Sequence, residues 1–244
     1  MLLTNVALQK PSLHLIHTSG TSIFEQLQWE EALLRADDRN WCIINEGTSP
    51  AIVLGISGKI DQHIHLEKNT LPIIRRFSGG GTVVVNEQTV FVTFIWNEKE
   101  SGVTCTPSSV MQWNGAFHEA LFAPHPFKLK ENDFVMGERK CGGNAQYLCR
   151  GRWLQHTSFL WDYDPALMGL LKHPPKMPSY RQNRDHEAFI CRLEEFLAKE
   201  EYMARLRQKL AVDFIVTEVK NIADIVERPH RKSTLRLSPS SCPI

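Results

Sequence analysis

The chain has 244 residues, 42% of them hydrophobic and 23% charged, enough to bury one large core or two small ones. Its 28 basic and 27 acidic residues leave a formal charge of +1, so no broad field points to nucleic acid or an anionic membrane, and any anionic ligand must meet a local cluster. The six cysteines, at 42, 105, 141, 149, 191 and 242, form no CxxC pair suited to structural zinc and read as reduced thiols of a cytoplasmic protein.

No apolar run reaches the roughly 18 residues of a membrane span, and the N-terminus lacks the basic, apolar and small-residue regions of a secretion signal. Residues 1–24 carry no acid, as organelle leaders do, but they also contain no arginine and only Lys10. The stretch "SIFEQLQWEEALLRA" (22–36) sets Phe24, Leu27, Ala32 and Leu34 near helical spacing behind a capping serine, with acids inside it. "WCIINEG" (41–47) and "AIVLGIS" (51–57) are short β-branched runs about a turn, which predicts two buried strands. "TVVVNEQTVFVTFIWN" (82–97) reads as a hairpin with Val90, Val92, Phe94 and Trp96 on one face.

"PSSVMQWNGAFHEALFA" (107–123) has proline near its start and an apolar helical face. Residues 133–164 read as three antiparallel strands broken at "GER" and "RGR". A proline-rich connection over 173–180 leads to one or two amphipathic helices over 186–211. Residues 228–244 lack an apolar period and read as a flexible tail after a single domain, 1–227, with no separate accessory domain. The predicted class is α+β, a mixed, mostly antiparallel sheet with flanking helices.

Two segments carry the chemistry. "RRFSGGG" (75–81) and "KCGGNAQ" (140–146) both join cationic side chains to glycines, a combination suited to phosphate or carboxylate oxygens. No GxxxxGK[ST] and no GxGxxG occurs, so the common strand-to-helix nucleotide motifs are excluded. Glycines alone are also explained by a tight turn or a bulge in a sheet. Two cationic glycine segments in one near-neutral chain favour the binding reading. Adjacent strand residues face opposite ways, so only one of Arg75 and Arg76 can serve one pocket.

"RRFSGGGTVVVN" resembles the RRxSGGGxVxxD signature of lipoate-protein ligases, "KCGGNAQ" resembles their K-[IV]-[SG]-G-[NS]-A-Q segment, and "QHTSFL" stands where that family has HHG[ST]LL. The resemblance continues through "NWCIINEG", "IVLGIS" and "PSYRQNRDHEAFICRL" and spans about residues 22 to 195. It implies the catalytic-domain fold shared by biotin and lipoate ligases, although the GRGRxGxxW-type loop of biotin ligases is missing. It also implies activation of lipoate or octanoate by ATP with Mg²⁺ to an acyl-adenylate, and transfer of the acyl group to a lysine on a lipoyl domain of a 2-oxoacid dehydrogenase complex or a glycine-cleavage protein.

By the same resemblance Lys140 is the catalytic cation. Ser78, Gly79, Gly80 and Gly81 hold the adenylate with Thr82, Val83 and Asn86, Arg76 lies near the phosphate, Gly142, Gly143 and Asn144 form a second loop, and His156 belongs to the ligand pocket. Val83 and Val85 would line a tunnel for the acyl tail. Asn86 stands where the family has aspartate, and Gln155 and Thr157 replace parts of the histidine-glycine pattern. No PCG loop of the cysteine-dependent octanoyl transferases occurs, and Cys191 reads as core. Transfer from a preactivated donor, help from a separate accessory subunit, and non-catalytic binding of lipoyl domains are the other readings the residues allow.

Overall fold

The computed structural model describes residues 10–149, 151–174 and 176–238. Twelve strands form two sheets: β1 (Ser12–Ser19), β2 (Trp41–Glu46), β3 (Ala51–Leu54), β4 (Ile73–Arg75), β5 (Val83–Val85), β6 (Thr89–Asn97), β7 (Phe127–Lys130), β8 (Asp133–Met136), β9 (Arg139–Cys149), β10 (Arg152–Leu160), β11 (Ile215–Glu218) and β12 (Leu235–Leu237). The large sheet runs β11-β1-β2-β6-β10-β9-β8-β7 and the small one β12-β4-β3-β5. The pairs β1–β11, β1–β2 and β3–β4 are parallel and the remainder antiparallel, so the sheet is mixed and mostly antiparallel, as expected.

Three long helices cover the large sheet. Ile23–Ala36 starts at Ser22, whose hydroxyl accepts from Glu25 N, and Pro107–Phe122 starts at Thr106 with proline in its first turn. The even residues of β6, Val90 to Trp96, pack with Phe117, Phe122, Phe159 and Tyr202 under helices Pro107–Phe122 and Lys199–Asp213. The odd residues Phe91 and Ile95 face Ile23–Ala36. This second face is roofed in part by the small sheet, through Val53, Ile74 and Val85. Period-two alternation along one strand therefore feeds two cores.

The expected hairpin did not form: β5 and β6 lie in different sheets, as do β2 and β3, which are consecutive and buried as expected. Asn86 and Thr89 still make the turn, with Thr89 N bonded to Asn86 O at 3.1 Å, but the two strands pair elsewhere, Val83–Val85 with β3 and Thr89–Asn97 with β10. Between residues 186 and 213 only Lys199–Asp213 is a long helix; Leu193–Glu195 is a single 3₁₀ turn.

The C-terminal segment is also more ordered than its composition suggests. Leu235–Leu237 pairs with β4, and the Ser233 and Thr234 amides donate to the buried Glu31 carboxylate at 2.9–3.0 Å. A carboxylate at the middle of a helix has captured the chain end. Residues 239–244 of the expected tail lie outside the described residues. No helix among the described residues is long and apolar enough to cross a membrane.

Candidate active site

A cavity of about 650 Å³ opens between the small sheet and the β9–β10 part of the large one. Ile23, Val53, Val83, Val85 and Phe91 supply apolar lining, and Arg76, Lys140, Lys172 and Arg181 supply positive charge. Such a mixture suits an amphipathic anion better than a purely apolar or purely polar ligand.

The SGGG segment is a true loop, and it is held by its own main chain. Arg76 N donates to Leu54 O, Ile56 N to Ser78 O and Gly79 N to Gln146 O, each at 2.9–3.0 Å. Gly80 has φ +108°, and a Cβ there would stand 2.6 Å from Arg76 Nη2 and 2.8 Å from Asn144 O. What approaches these glycines most closely is therefore the protein itself. Gly81 by contrast has nothing within 4 Å of its Cβ position and leaves the loop open to the cavity.

Arg76 has a different task from the phosphate contact expected of it. Its guanidinium donates to Gly79 O at 3.0 Å and Gly81 O at 2.7 Å, and the residue is 3% exposed. Burial pulls its pKa down to about 10 against the opposing charge of Glu30, so at neutral pH it is a buried cation bracing loop carbonyls. Arg75 turns the other way, to Gly58 O at 3.1 Å.

KCGGNAQ is not a loop. It is the middle of β9, paired with β10 from Cys149 to Gly142. Lys140 is partly exposed on the cavity wall, its Nζ 2.7 Å from Asp133 Oδ1 and 3.9 Å from where a Cβ on Gly143 would lie. Asp133 Oδ2 accepts from Tyr180 OH at 2.9 Å. Gly143 and Asn144 line the cavity, but the Asn144 amide is committed to Gln155, Thr157 and the Asn132 carbonyl.

His156 lies across from Ala145 on β10 with its Nδ1 2.8 Å from Glu30 Oε1 and 3.1 Å from Thr93 Oγ1. Glu30 is fully buried and also accepts from Gln26 at 2.9 Å. The carboxylate fixes the ring, and His156 lines the cavity. Thr82 and Val83 line the cavity as well.

Three expected site residues lie off the wall. Ser78 is fully buried with its hydroxyl unpartnered, because the main chain on either side is pinned inward. Asn86 is used up by the β5–β6 turn, its Oδ1 accepting from Gln88 N at 3.0 Å and Thr89 Oγ1 at 3.2 Å. Gly142 faces the aromatic core, where a Cβ would be 3.1 Å from the Phe159 ring. Sequence reasoning missed Asp133, Glu30, Tyr180 and Arg181. An acidic side chain on the apolar face of the first helix was the available signal for Glu30, and the quoted "PSYRQNRDHEAFICRL" contained the last two.

Burial keeps the thiols protonated. Cys141 is pushed well above the ordinary thiol range by desolvation, and Cys191 is pushed to about 11. Among the described residues no cluster of three or more His, Cys, Asp or Glu side chains forms a metal site.

A family model for the lipoyl protein ligase A/B catalytic domain matches residues 22–215. An inactive lipoate–protein ligase 2 from Plasmodium falciparum is 28% identical over 242 residues, covering 73% of this chain and 62% of that protein. The lipoate-protein ligase LplJ of Bacillus subtilis is 24% identical over 189 residues, covering 72% and 54%. The chain thus spans between about half and two thirds of the length of these curated relatives. Among solved structures, a lipoate-protein ligase A bound with ATP has a TM-score of 0.69 at 17% identity, covering 90% of this chain and 93% of that one. The bi-partite lipoate protein ligase of Thermoplasma acidophilum has a TM-score of 0.70 at 17% identity, covering 90% and 91%. These two likenesses are of fold.

Proposed function

This chain belongs to the lipoyl protein ligase A/B catalytic-domain family, and from that premise we propose that it forms an amide between lipoate, or octanoate, and a lysine of a lipoyl domain, after ATP has activated the acid as an acyl-adenylate. The observation that carries this reading is Lys140, a partly exposed ammonium on the wall of a cavity that also holds apolar strand residues and the glycine loop. The aliphatic chain of the acid fits Val83, Val85 and Phe91, and its mixed anhydride fits the cationic end. As the acceptor amine attacks the acyl carbon, negative charge grows on the carbonyl oxygen and then passes to the departing AMP phosphate. Lys140 offsets that charge in both positions.

Mg²⁺ belongs to this reading as the partner of the ATP phosphates. The cavity carboxylates are already committed, Asp133 to Lys140 and Tyr180 OH and Glu131 to Ser179 Oγ and Tyr180 N, so Mg²⁺ would be held chiefly by the phosphate oxygens. The protein bearing the acceptor lysine is a lipoyl domain of a 2-oxoacid dehydrogenase or glycine-cleavage system, and the setting is cytoplasmic, in keeping with the free thiols at Cys42, Cys141 and Cys191.

A second reading is transfer from a preformed acyl-adenylate made with a separate subunit. One fact supports it: a fold relative is a bi-partite lipoate protein ligase. The inactive relative keeps a non-catalytic lipoyl-domain binder in the comparison.

Mass spectrometry of a purified lipoyl domain separates these. The protein is incubated with Mg-ATP and free lipoate, with lipoyl-adenylate, or with an octanoyl carrier protein. A lipoyl mass gain from ATP and free acid is expected, falling about 100- to 1,000-fold in Lys140→Ala. A gain from the adenylate alone moves activation to a partner, a gain from the carrier alone makes the protein a transferase, and no gain in any arm removes the catalytic reading.

A further inference from the structure

The helix Ile23–Ala36 carries two adjacent buried glutamates with different tasks. Glu30 fixes His156 beside the cavity, whereas Glu31 meets Ser233 and Thr234, in a segment whose composition reads as a tail. The Glu31 side chain is 2% exposed, and a carboxylate so desolvated is costly unless donors surround it. Ser233 N donates to both oxygens at 2.9 Å, Thr234 N to Oε2 at 3.0 Å and Arg35 Nε to Oε1 at 3.1 Å.

These donors lead to the glycine loop by two routes. Along the main chain, Thr234 runs into β12, which pairs Leu235 with Arg75, Arg236 with Ile74 and Leu237 with Ile73, so that β4 has a neighbour on each side and Arg76 follows directly. Without β12, β4 would be an edge strand with unpaired N–H and C=O groups at the entrance to the loop. Through side chains, the Arg35 guanidinium lies 4.9 Å from the Tyr147 ring centre and 5.6 Å from that of Phe77, which is fully buried between Arg76 and Ser78. The other holds on the segment are weaker: Leu235 is 51% exposed, and Arg236 lies over the Phe24 ring, 4.6 Å from its centre. Charge-assisted hydrogen bonds to Glu31 are the strong ones.

We propose that Glu31 is a positioning residue, which by holding β12 on β4 keeps the 76–81 loop in the arrangement that receives the activated acyl donor. The identity of that donor rests on the ligase reading; the coupling of residues 233–237 to the loop does not. With β12 released the loop samples other arrangements, and the donor binds only the fraction that stays competent, so its apparent affinity falls by that fraction.

Hydrogen exchange without ligand and titration calorimetry with lipoyl-adenylate test this on the whole chain, as wild type, Glu31→Gln, Leu237→Asp and the double variant. In Glu31→Gln the amides of residues 235–237, and those of Arg76 and Gly79 that bond to Leu54 O and Gln146 O, should exchange faster by about 10-fold or more, with β6 and β10 amides within about twofold of wild type. The adenylate dissociation constant should rise about 10-fold at unchanged stoichiometry, whereas a purely structural loss lowers the number of binding-competent molecules and leaves the constant alone. Leu237→Asp leaves Glu31 and Arg35 untouched and unseats β12 from its partly buried side, so it should act alike, and the double variant should add nothing to the larger single effect. Faster exchange confined to 235–237, an unchanged dissociation constant, or additive effects in the double variant overturns the proposal. If Glu31→Gln does not fold, Leu237→Asp decides on the same two readouts. If wild type neither binds the adenylate nor transfers a lipoyl group, the ligase reading falls and the exchange result alone decides the coupling; lipoyl transfer with uncoupled exchange removes the coupling and keeps that reading.

Discussion

At residue 80 glycine answers to backbone conformation, and at residues 142 and 143 it answers to space. Gly80 takes φ +108° and closes against Arg76 and the Asn144 carbonyl, while Gly142 and Gly143 sit in a regular ladder to β10 with Phe159 at 3.1 Å and Ser158 Oγ at 3.3 Å from their Cβ positions. A loop of the first kind can turn N–H groups toward a ligand. A strand of the second kind has spent its N–H groups on its neighbour and contributes through a side chain, Lys140, and through the room its glycines leave. Similar sequence patterns have thus become a backbone wall and a side-chain wall of one cavity.

The largest effect should come from breaking the backbone wall. Gly80→Ala forces a side chain into the left-handed region and against Asn144 O, and should cost about 3 kcal/mol in urea unfolding. A loss below about 1 kcal/mol would mean the loop can be rebuilt around a Cβ. Gly142→Ala tests the other wall. The Phe159 ring, packed with that of Phe134, must give way by tenths of an ångström, and a loss of about 1–2 kcal/mol is expected, with transfer activity per folded molecule retained.

Behind Gly142 those rings also enclose His118, whose ring centre is 4.9 Å from that of Phe159. Burial, helped by Lys209, brings the His118 pKa down to about 3. The unfolded chain takes up a proton near pH 6.5 that the folded one refuses, so this stabilisation is fully present above that pH and is lost as pH falls toward 3. Unfolding measured from pH 7 to 5 should lose about 1.4 kcal/mol per unit below 6.5, and His118→Leu should flatten that slope. An unchanged slope would show the aromatic side of β9 to be wet. The smallest structural effect belongs to Gly81→Ala, which meets no atom within 4 Å and should alter stability by less than about 0.5 kcal/mol. Its lipoyl transfer should fall at least 10-fold if the loop backbone approaches the donor; full activity would assign the loop to architecture alone.

Capping at Ser22, the proline start of the helix Pro107–Phe122, the even face of β6 and the three strands of residues 133–160 were legible in the sequence because they are set by neighbours a few residues apart. The same holds for picking out Lys140, which lies inside a motif whose spacing is local and which the fold sets on the cavity wall. Partner choice was not legible. β5 and β6 look like a hairpin, but they pair in separate sheets, and nothing in their own residues registers the competing strand.

Roles that depend on which face a side chain meets were equally out of reach. Arg76 was recognisable as important and ended buried against Gly79 and Gly81, Asn86 was consumed by its turn, and Ser78 and Gly142 face inward. Glu30, Asp133 and Arg181 come from three distant segments and acquire their meaning from His156, Lys140 and the cavity. Local periodicity and motif spacing determined the elements, the family and the central lysine. Long-range pairing decided the two-sheet architecture, the bracing of the loop and the membership of the site, because those depend on burial and charge contacts between residues that only the folded chain brings together.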